Sequence, residues 1–450
     1  MKKNIVFFLI DGLRYDQIFG EFKESFTPNI DSLIDKGQFF SNSFSSADGT
    51  VLSLNTIFNS VFSCKTNNRA RKIILEKNNM FDILKKSDYD IFGLVPKMKI
   101  YDPLVKIFEN DDKTYDWIEK NESLQTILSE KIIKLLKQRN QALPSFTYLH
   151  ILDLHPLREG NIPKGIEHFN DEKFGKSDYA KTVSSIDSVI GTILRNIDLS
   201  NTIVIITSDH GERIPFENLR NSDFEPEFNS TKKIGKKILP KQTHKISGKI
   251  LSKISKSIKE KKIEKKSLNL NNYQKRSRDP YFTLSLFDEL LHVPLLFVGP
   301  GITKNINSNF IRHVDLYPTI LDSLNLEYDS KRIDGKSFFP FSKSINTEEM
   351  VSYLHTMPYE KPHSTDSVGI RTQKYKYFRS ESSKNENIHL YDLENDPFEN
   401  NNIIKNNPEL QNKFEKLIKE IEEGKSDEKS EFSKEEEAMI SEELKKLGYM

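Results

Sequence analysis

Five short runs along the chain are apolar at successive positions instead of alternating: "NIVFFLI" (4–10), "YDIFGLV" (89–95), "FTYLHIL" (146–152), "NTIVIIT" (201–207) and "VPLLFVG" (293–299). A strand that hides both faces reads this way, and such strands belong to a mainly parallel sheet covered on each side. Between them lie helical periodicities, as in "LQTILSEKIIKLLKQ" and "YAKTVSSIDSVIGTILRNI". The alternation predicts an α/β three-layer sandwich. Three of the strands run into polar turns: Asp11 after the first, Asp153 and His155 after the third, Asp209 and His210 after the fourth. In open α/β sheets ligands collect at the carboxyl ends of strands, so one site built from these turns is expected.

The texture changes twice further on. From about Asn229 to Arg278 the chain is dense in lysine, and Ile246, Ile250, Ile254 and Ile258 recur every four residues. That is the pattern of a basic amphipathic helix. It is read either as a solvated surface insertion or as an arm for an anionic membrane or polymer. Past about Ser342, "SVGIRTQKYKYFRS" and "ENIHLYDLENDP" predict a small C-terminal α+β subdomain. From Asn406 a charged helical stretch reads as a peripheral helix or frayed tail. The expected division is therefore 1–341 with the insertion at 229–278, then 342–405, then 406–450.

Composition narrows the chemistry only a little. Among 450 residues, 67 Lys+Arg balance 66 Asp+Glu, so global charge names no partner and gives no sign of specific nucleic-acid binding. The lone cysteine, Cys64, excludes an internal disulfide and a cysteine-rich zinc site. The initial apolar run ends at Asp11, too early for a secretory signal, and no run reaches the length of a membrane span, so a cytoplasmic location is expected.

Taken singly, "DGLR" (11–14) and "DHGE" (209–212) are weak signals: an Asp-Gly turn, and an acid beside an imidazole. In order along the chain, however, stand "NIVFFLIDGLRYD", "TPNIDSLIDKGQFFSNSFSS", "DLHP", "YAKTVSSIDSVIGTIL", "IVIITSDHGE", "LLHVPLLFVGPG", "HVDLYPTILDSL", "IRTQKYKYF" and "LYDLENDPFENNN". This series resembles the sulfatase family of the alkaline phosphatase superfamily, from Asn4 to about Asn402. The resemblance implies a divalent metal ion held by Asp11, Thr50, Asp209 and His210. It implies ester chemistry in which His155 and Lys97, the latter within "PKMK" (96–99), act on the bound ester. Lys99, His292 and Arg14 are then expected to bind substrate. His150 and His313 read as core or structural histidines.

The departures from the family pattern carry as much information. Sulfatases convert a Cys or Ser in C/S-x-P-x-R to formylglycine. The matching stretch here is "DGTVLSLN", with Thr50 at that position, Ser53 three later, and no proline or arginine. Gly12 and His210 stand where the family has a second Asp and an Asn. Fewer hard oxygen ligands and one more imidazole move the expected ion toward zinc or manganese, with calcium or magnesium still open. The same features resemble superfamily phosphodiesterases and phosphoethanolamine or phosphoglycerol transferases that use an unmodified threonine. The expected activity is hydrolysis of phosphate or sulfate esters of a small molecule or glycan through Thr50. The alternatives are such a transferase, a true sulfuric ester hydrolase, or a degenerate binding protein.

Overall fold

The computed structural model describes residues 2–66, 72–138, 143–159, 161–214, 267–278, 286–343, 345–356 and 366–424, with single positions at 261, 264, 265, 439 and 442. In chain order its strands are β1 (Asn4–Ile10), β2 (Gln38–Phe40), β3 (Ser43–Phe44), β4 (Asp90–Pro96), β5 (Thr114–Tyr115), β6 (Ser145–Ile151), β7 (Thr202–Thr207), β8 (Leu295–Val298), β9 (Asn305–Asn307), β10 (Ile311–Arg312), β11 (Ser352–His355), β12 (Ser367–Arg371), β13 (Tyr375–Ser380) and β14 (His389–Asp392). Eight of them form the main sheet in the order β5-β4-β6-β1-β7-β8-β2-β9. All run the same way except β8, which opposes both β7 and β2. The five apolar runs of the sequence are β1, β4, β6, β7 and β8. β1 lies at the centre, in parallel register with β6 and β7, and Ile5 to Ile10 are wholly buried.

Helices pack in two groups against this sheet. α1 (Pro28–Ile34) sits on the long helix Asp178–Leu194. The contact explains two of the family-like motifs without any catalytic role. Asp187 accepts from the Asn29 and Ile30 backbone N–H groups, at 3.2 and 2.7 Å, and from the Asn29 amide at 2.9 Å. One helix thus supplies the missing cap for the other, satisfying N–H groups that have no partner within α1. α2 (Thr50–Asn59) is buried along its whole length against the helices Met80–Lys86 and Leu316–Ser323.

The C-terminal segment is an antiparallel sheet, β11-β12-β13-β14. The helix Pro408–Glu422 buries Phe414 and Ile418 against it, with the Phe414 ring stacked 5.7 Å from Tyr377. Of the expected peripheral helix or frayed tail, residues 408–422 thus form a helix, and two apolar side chains one turn apart give it a packed face. Most of the Lys-rich segment, with Ile246 to Ile258, falls outside the described residues. Its last part does not, and there Tyr273 and Arg276 of the short helix Asn272–Ser277 are tied to Asp16 and Glu289. No described helix is long and apolar enough to cross a membrane.

Candidate active site

The turn after β1 begins with Asp11, whose backbone N–H still donates to Ile151 on β6. Gly12 follows with φ of +72°, a left-handed conformation that costs a side-chain-bearing residue energy. Gly12 can therefore donate its N–H to Asp209 Oδ1 at 3.2 Å. The turn after β7 brings Asp209 and His210 to the same place. Gly211 is required there too, since a Cβ would lie 2.3 Å from the Glu289 carbonyl oxygen. α2 starts at Thr50, behind Gly49, which has no side chain to cap it. Thr50 Oγ1 donates to Asp11 Oδ2 at 3.0 Å and lies 3.4 Å from His210 Nε2. The structure thus brings four sequence-predicted residues, Asp11, Thr50, Asp209 and His210, into one buried cluster.

The donor set fits a divalent cation. One ligand atom each from Asp11, Asp209 and His210 lies within 4.8 Å of the others. Asp209 Oδ1 accepts from Gly12 and His210 backbone N–H groups, while its buried Oδ2 has no hydrogen-bond partner among the described residues. Leaving a buried carboxylate oxygen unmatched is costly unless a cation answers it. His210 Nδ1 faces the Gly211 carbonyl at 2.7 Å, which fixes Nδ1 as the donor and leaves Nε2 as a lone pair toward the carboxylates. The same carboxylates also act on the protons of the cluster. Burial alone would raise the Asp11 carboxyl, but His155, His150 and His210 together hold it well below the usual carboxylate range. Burial and then the Asp11 charge push Asp209 up. Burial works against a charged His210, yet Asp209, Asp11 and Glu212 push it up to about 9.

Two more histidines stand behind Asp11. His155, as expected, is beside the cluster, with Nδ1 3.3 Å from Asp11 Oδ1. His150 was expected to be a core residue only. It is wholly inside the protein, but its Nε2 lies 3.5 Å from Asp11 Oδ2 and 2.9 Å from the Tyr101 hydroxyl, while its Nδ1 lies 2.9 Å from that of Tyr148. The usable signal was a histidine at the carboxyl end of an otherwise apolar strand. His313 is also buried near His210 and is pushed down to about 3 by burial, in keeping with a structural role.

Other expected residues are not brought to the cluster. Arg14 is corrected from a substrate contact to a wall residue. It is buried, with Nε on Asp16 at 2.9 Å, Nη2 on the Tyr273 hydroxyl at 2.9 Å and Nη1 on the Glu212 carbonyl at 3.2 Å. A guanidinium with its fork already filled has little left to offer an ester. His292 is corrected as well. Its Nε2 lies 2.9 Å from the Ser41 carbonyl, and its ring is clasped between Tyr15 and Phe44. Lys97 and Lys99 are exposed past the end of β4, with Lys99 3.7 Å from Asp102.

A second ion would have needed Asp153, His155 or His292 beside Asp209. Asp153 instead turns to Leu124, accepting its N–H at 2.9 Å, and burial pushes its carboxyl up to about 7. A folded-state pKa above the unfolded one stabilises at low pH, and the gain is lost as pH rises through the folded value. Stability is therefore expected to fall between pH 4 and 8, with at most about 4 kcal/mol of that fall due to Asp153. Urea unfolding at the two pH values checks this. Asp153→Asn, which keeps the acceptor for Leu124, should flatten the dependence; a slope equal to that of the wild type would refute the assignment.

Comparison with known proteins agrees with the geometry. The family model described as Sulfatase matches residues 3–326, and that described as N-sulphoglucosamine sulphohydrolase, C-terminal, matches residues 281–427. Curated relatives include arylsulfatase K of Bos taurus, 29% identical over 149 residues, which are 31% of this chain and 27% of the relative. Choline-sulfatase of Rhizobium meliloti is 30% identical over 133 residues, 29% of this chain and 24% of the relative. These matches span about a quarter of the relatives' length. Among solved structures, BT4656 in complex with its substrate D-glucosamine-2-N,6-O-disulfate has a TM-score of 0.64 at 17% identity, covering 94% of this chain and 98% of that one. Ps i-CgsB has a TM-score of 0.65 at 15% identity, covering 99% and 98%. At such identities the structures speak for the fold alone.

Proposed function

Because the chain belongs to the sulfatase family, we propose that it is a divalent-metal-dependent ester hydrolase with the Thr50 hydroxyl as its nucleophile. The observation that carries this reading is the position of Thr50 Oγ1. It sits at the first turn of α2, 3.0 Å from Asp11 and 3.4 Å from His210, inside the one cluster of metal-ligating side chains found among the described residues. Asp11, Asp209, His210 and Thr50 would hold the ion, with the imidazole favouring zinc or manganese over calcium or magnesium. When bound, such an ion lowers the pKa of a coordinated hydroxyl and offsets charge on the ester oxygens.

The protein's own groups do the rest. The uncapped N–H groups of α2 favour negative charge where Thr50 sits. Thr50 loses its proton to solvent and attacks phosphorus in line; the Oγ–P bond forms as the bond to the alcohol oxygen breaks. His155, held through Nδ1 by Asp11, gives the leaving oxygen a proton from its other ring nitrogen. Water then adds to phosphorus and returns a proton to His155. The Oγ–P bond breaks, freeing phosphate and the Thr50 oxygen.

Thr50 favours phosphorus over sulfur. A hydrated formylglycine can expel sulfate by cleaving its own C–O bond, whereas a threonine sulfate must be attacked directly at sulfur. The second reading, a sulfuric ester hydrolase, is favoured by the family and by relatives named for sulfate esters. In either case the remainder of the ester would be a small molecule or a glycan.

Turnover of bis-p-nitrophenyl phosphate, p-nitrophenyl phosphate and p-nitrophenyl sulfate, before and after dialysis against a chelator, tests this. Phosphoester turnover that vanishes on chelation and returns with zinc or manganese is expected. Turnover of the sulfate alone selects the second reading. No turnover and no heat of divalent-ion binding would leave only a degenerate binding protein.

A further inference from the structure

The misplaced His292 leads to a second concavity. A pocket of about 330 Å³ opens between the segment after β1, the start of β8 and the C-terminal sheet, and no residue of the Asp11–Thr50–Asp209–His210 cluster lines it. Part of its lining is a continuous stack. Tyr15 lies 3.9 Å from His292 with the rings 9° apart, His292 lies 4.6 Å from Phe44, and Arg371 Cζ lies 3.5 Å from the Phe44 ring centre. A second aromatic group, Phe22, Tyr273 and Phe398, with centroids 5.4–5.8 Å apart, also lines it. This volume is at the small end of those that hold small molecules, and it suits a flat ring.

The charges in the lining select a sign. Asp16 accepts from Arg14 Nε and from the Tyr273 hydroxyl. Asp288 Oδ1 takes both Arg371 Nη1, at 2.7 Å, and Lys376 Nζ, at 2.6 Å. Asp16 and Asp288 are thus answered by cations, while Glu21, the third carboxylate of the lining, is exposed to water. Arg371, 5% exposed, spends one Nη1 donor on Asp288, and its Nε has no hydrogen-bond partner among the described residues. Burial pushes His292 down to about 4, so its ring adds no charge of its own to this wall. A buried guanidinium with donors to spare, stacked on an aromatic wall, recognises an anion on a planar group.

We propose that this pocket binds a small planar aromatic anion, its ring against the aromatic walls and its charged group on Arg371. This goes beyond the hydrolase reading, because binding here needs neither Thr50 nor a metal ion. Isothermal titration of the full chain, dialysed against a chelator, with 2-naphthoate and its uncharged analogue 2-naphthamide tests it. Naphthoate should bind with Kd of about 1 mM or tighter, and naphthamide about tenfold more weakly. Arg371→Gln and Phe398→Ala should each weaken naphthoate about tenfold. Phe398→Ala lies outside the buried ionic network, so it decides the matter even where Arg371→Gln does not fold. Absence of saturable binding, equal affinity for the two probes, or naphthoate binding unchanged by Phe398→Ala would overturn the proposal. So would binding lost in Asp11→Asn and kept in Phe398→Ala, which would put the anion at the metal cluster.

Discussion

Thr50→Ala is expected to lower ester turnover by about 10³-fold or more while leaving a folded protein. The size follows from the role. Without a hydroxyl at the start of α2 there is no oxygen to form the covalent intermediate, and the remaining groups can only bind and polarise the ester. The fold should tolerate the change. Alanine is the best helix former, and the cap position is held by Gly49, so α2 does not depend on the threonine side chain. Thr50→Ser keeps the hydroxyl and should retain activity within about tenfold. Rates on p-nitrophenyl esters, with circular dichroism to verify folding, check both. An alanine variant as active as wild type would remove Thr50 from the mechanism.

Lys376→Met should be the most damaging change away from the cluster, costing about 3–5 kcal/mol of stability. Lys376 on β13 is completely buried and lies 2.6 Å from both Asp288 and Glu399. Asp288 also holds Arg371, and its backbone N–H donates to Glu399 Oε2 at 2.8 Å. This network joins the start of β8 to the C-terminal sheet, so losing its central cation leaves two carboxylates facing one another out of water. Burial already pushes Glu399 up to about 7, with Lys376 the main opposing charge. Glu399→Gln should accordingly cost less than Lys376→Met, and urea unfolding of the two variants checks the order. A loss below about 1 kcal/mol for Lys376→Met, as for an exposed pair, would refute the account of the network.

Much of this molecule can be read from its sequence because its central strands hide both faces. β1, β6 and β7 are buried almost throughout and end in Asp11, the Asp153–His155 turn, and Asp209–His210, so both the sheet and most of the Asp11–Asp209–His210 cluster follow from one pattern. What could not be read depends on contacts between distant segments. Arg14 looks available in "DGLR", and only the fold brings Tyr273 and the Glu212 carbonyl to its guanidinium. His292 does stand at the same end of the sheet as the cluster, but the Tyr15 and Phe44 rings fix its direction, and no periodicity reports that. The reversal of β8 is equally silent, since a buried strand looks alike in either direction. Gly12 stands where the family has a second acid, and its positive φ gives the physical reason that a glycine suits the turn.

The claim that Thr50 is the nucleophile is tested most directly by trapping it. The metal-loaded enzyme is mixed with excess bis-p-nitrophenyl phosphate, quenched in acid during turnover, digested, and the peptide spanning Thr50 is weighed and sequenced by mass spectrometry. The account predicts a phosphoryl adduct on Thr50 in the wild type and none in Thr50→Ala. Sustained turnover with Thr50 unmodified at every quench time, or an adduct on another side chain, would contradict it.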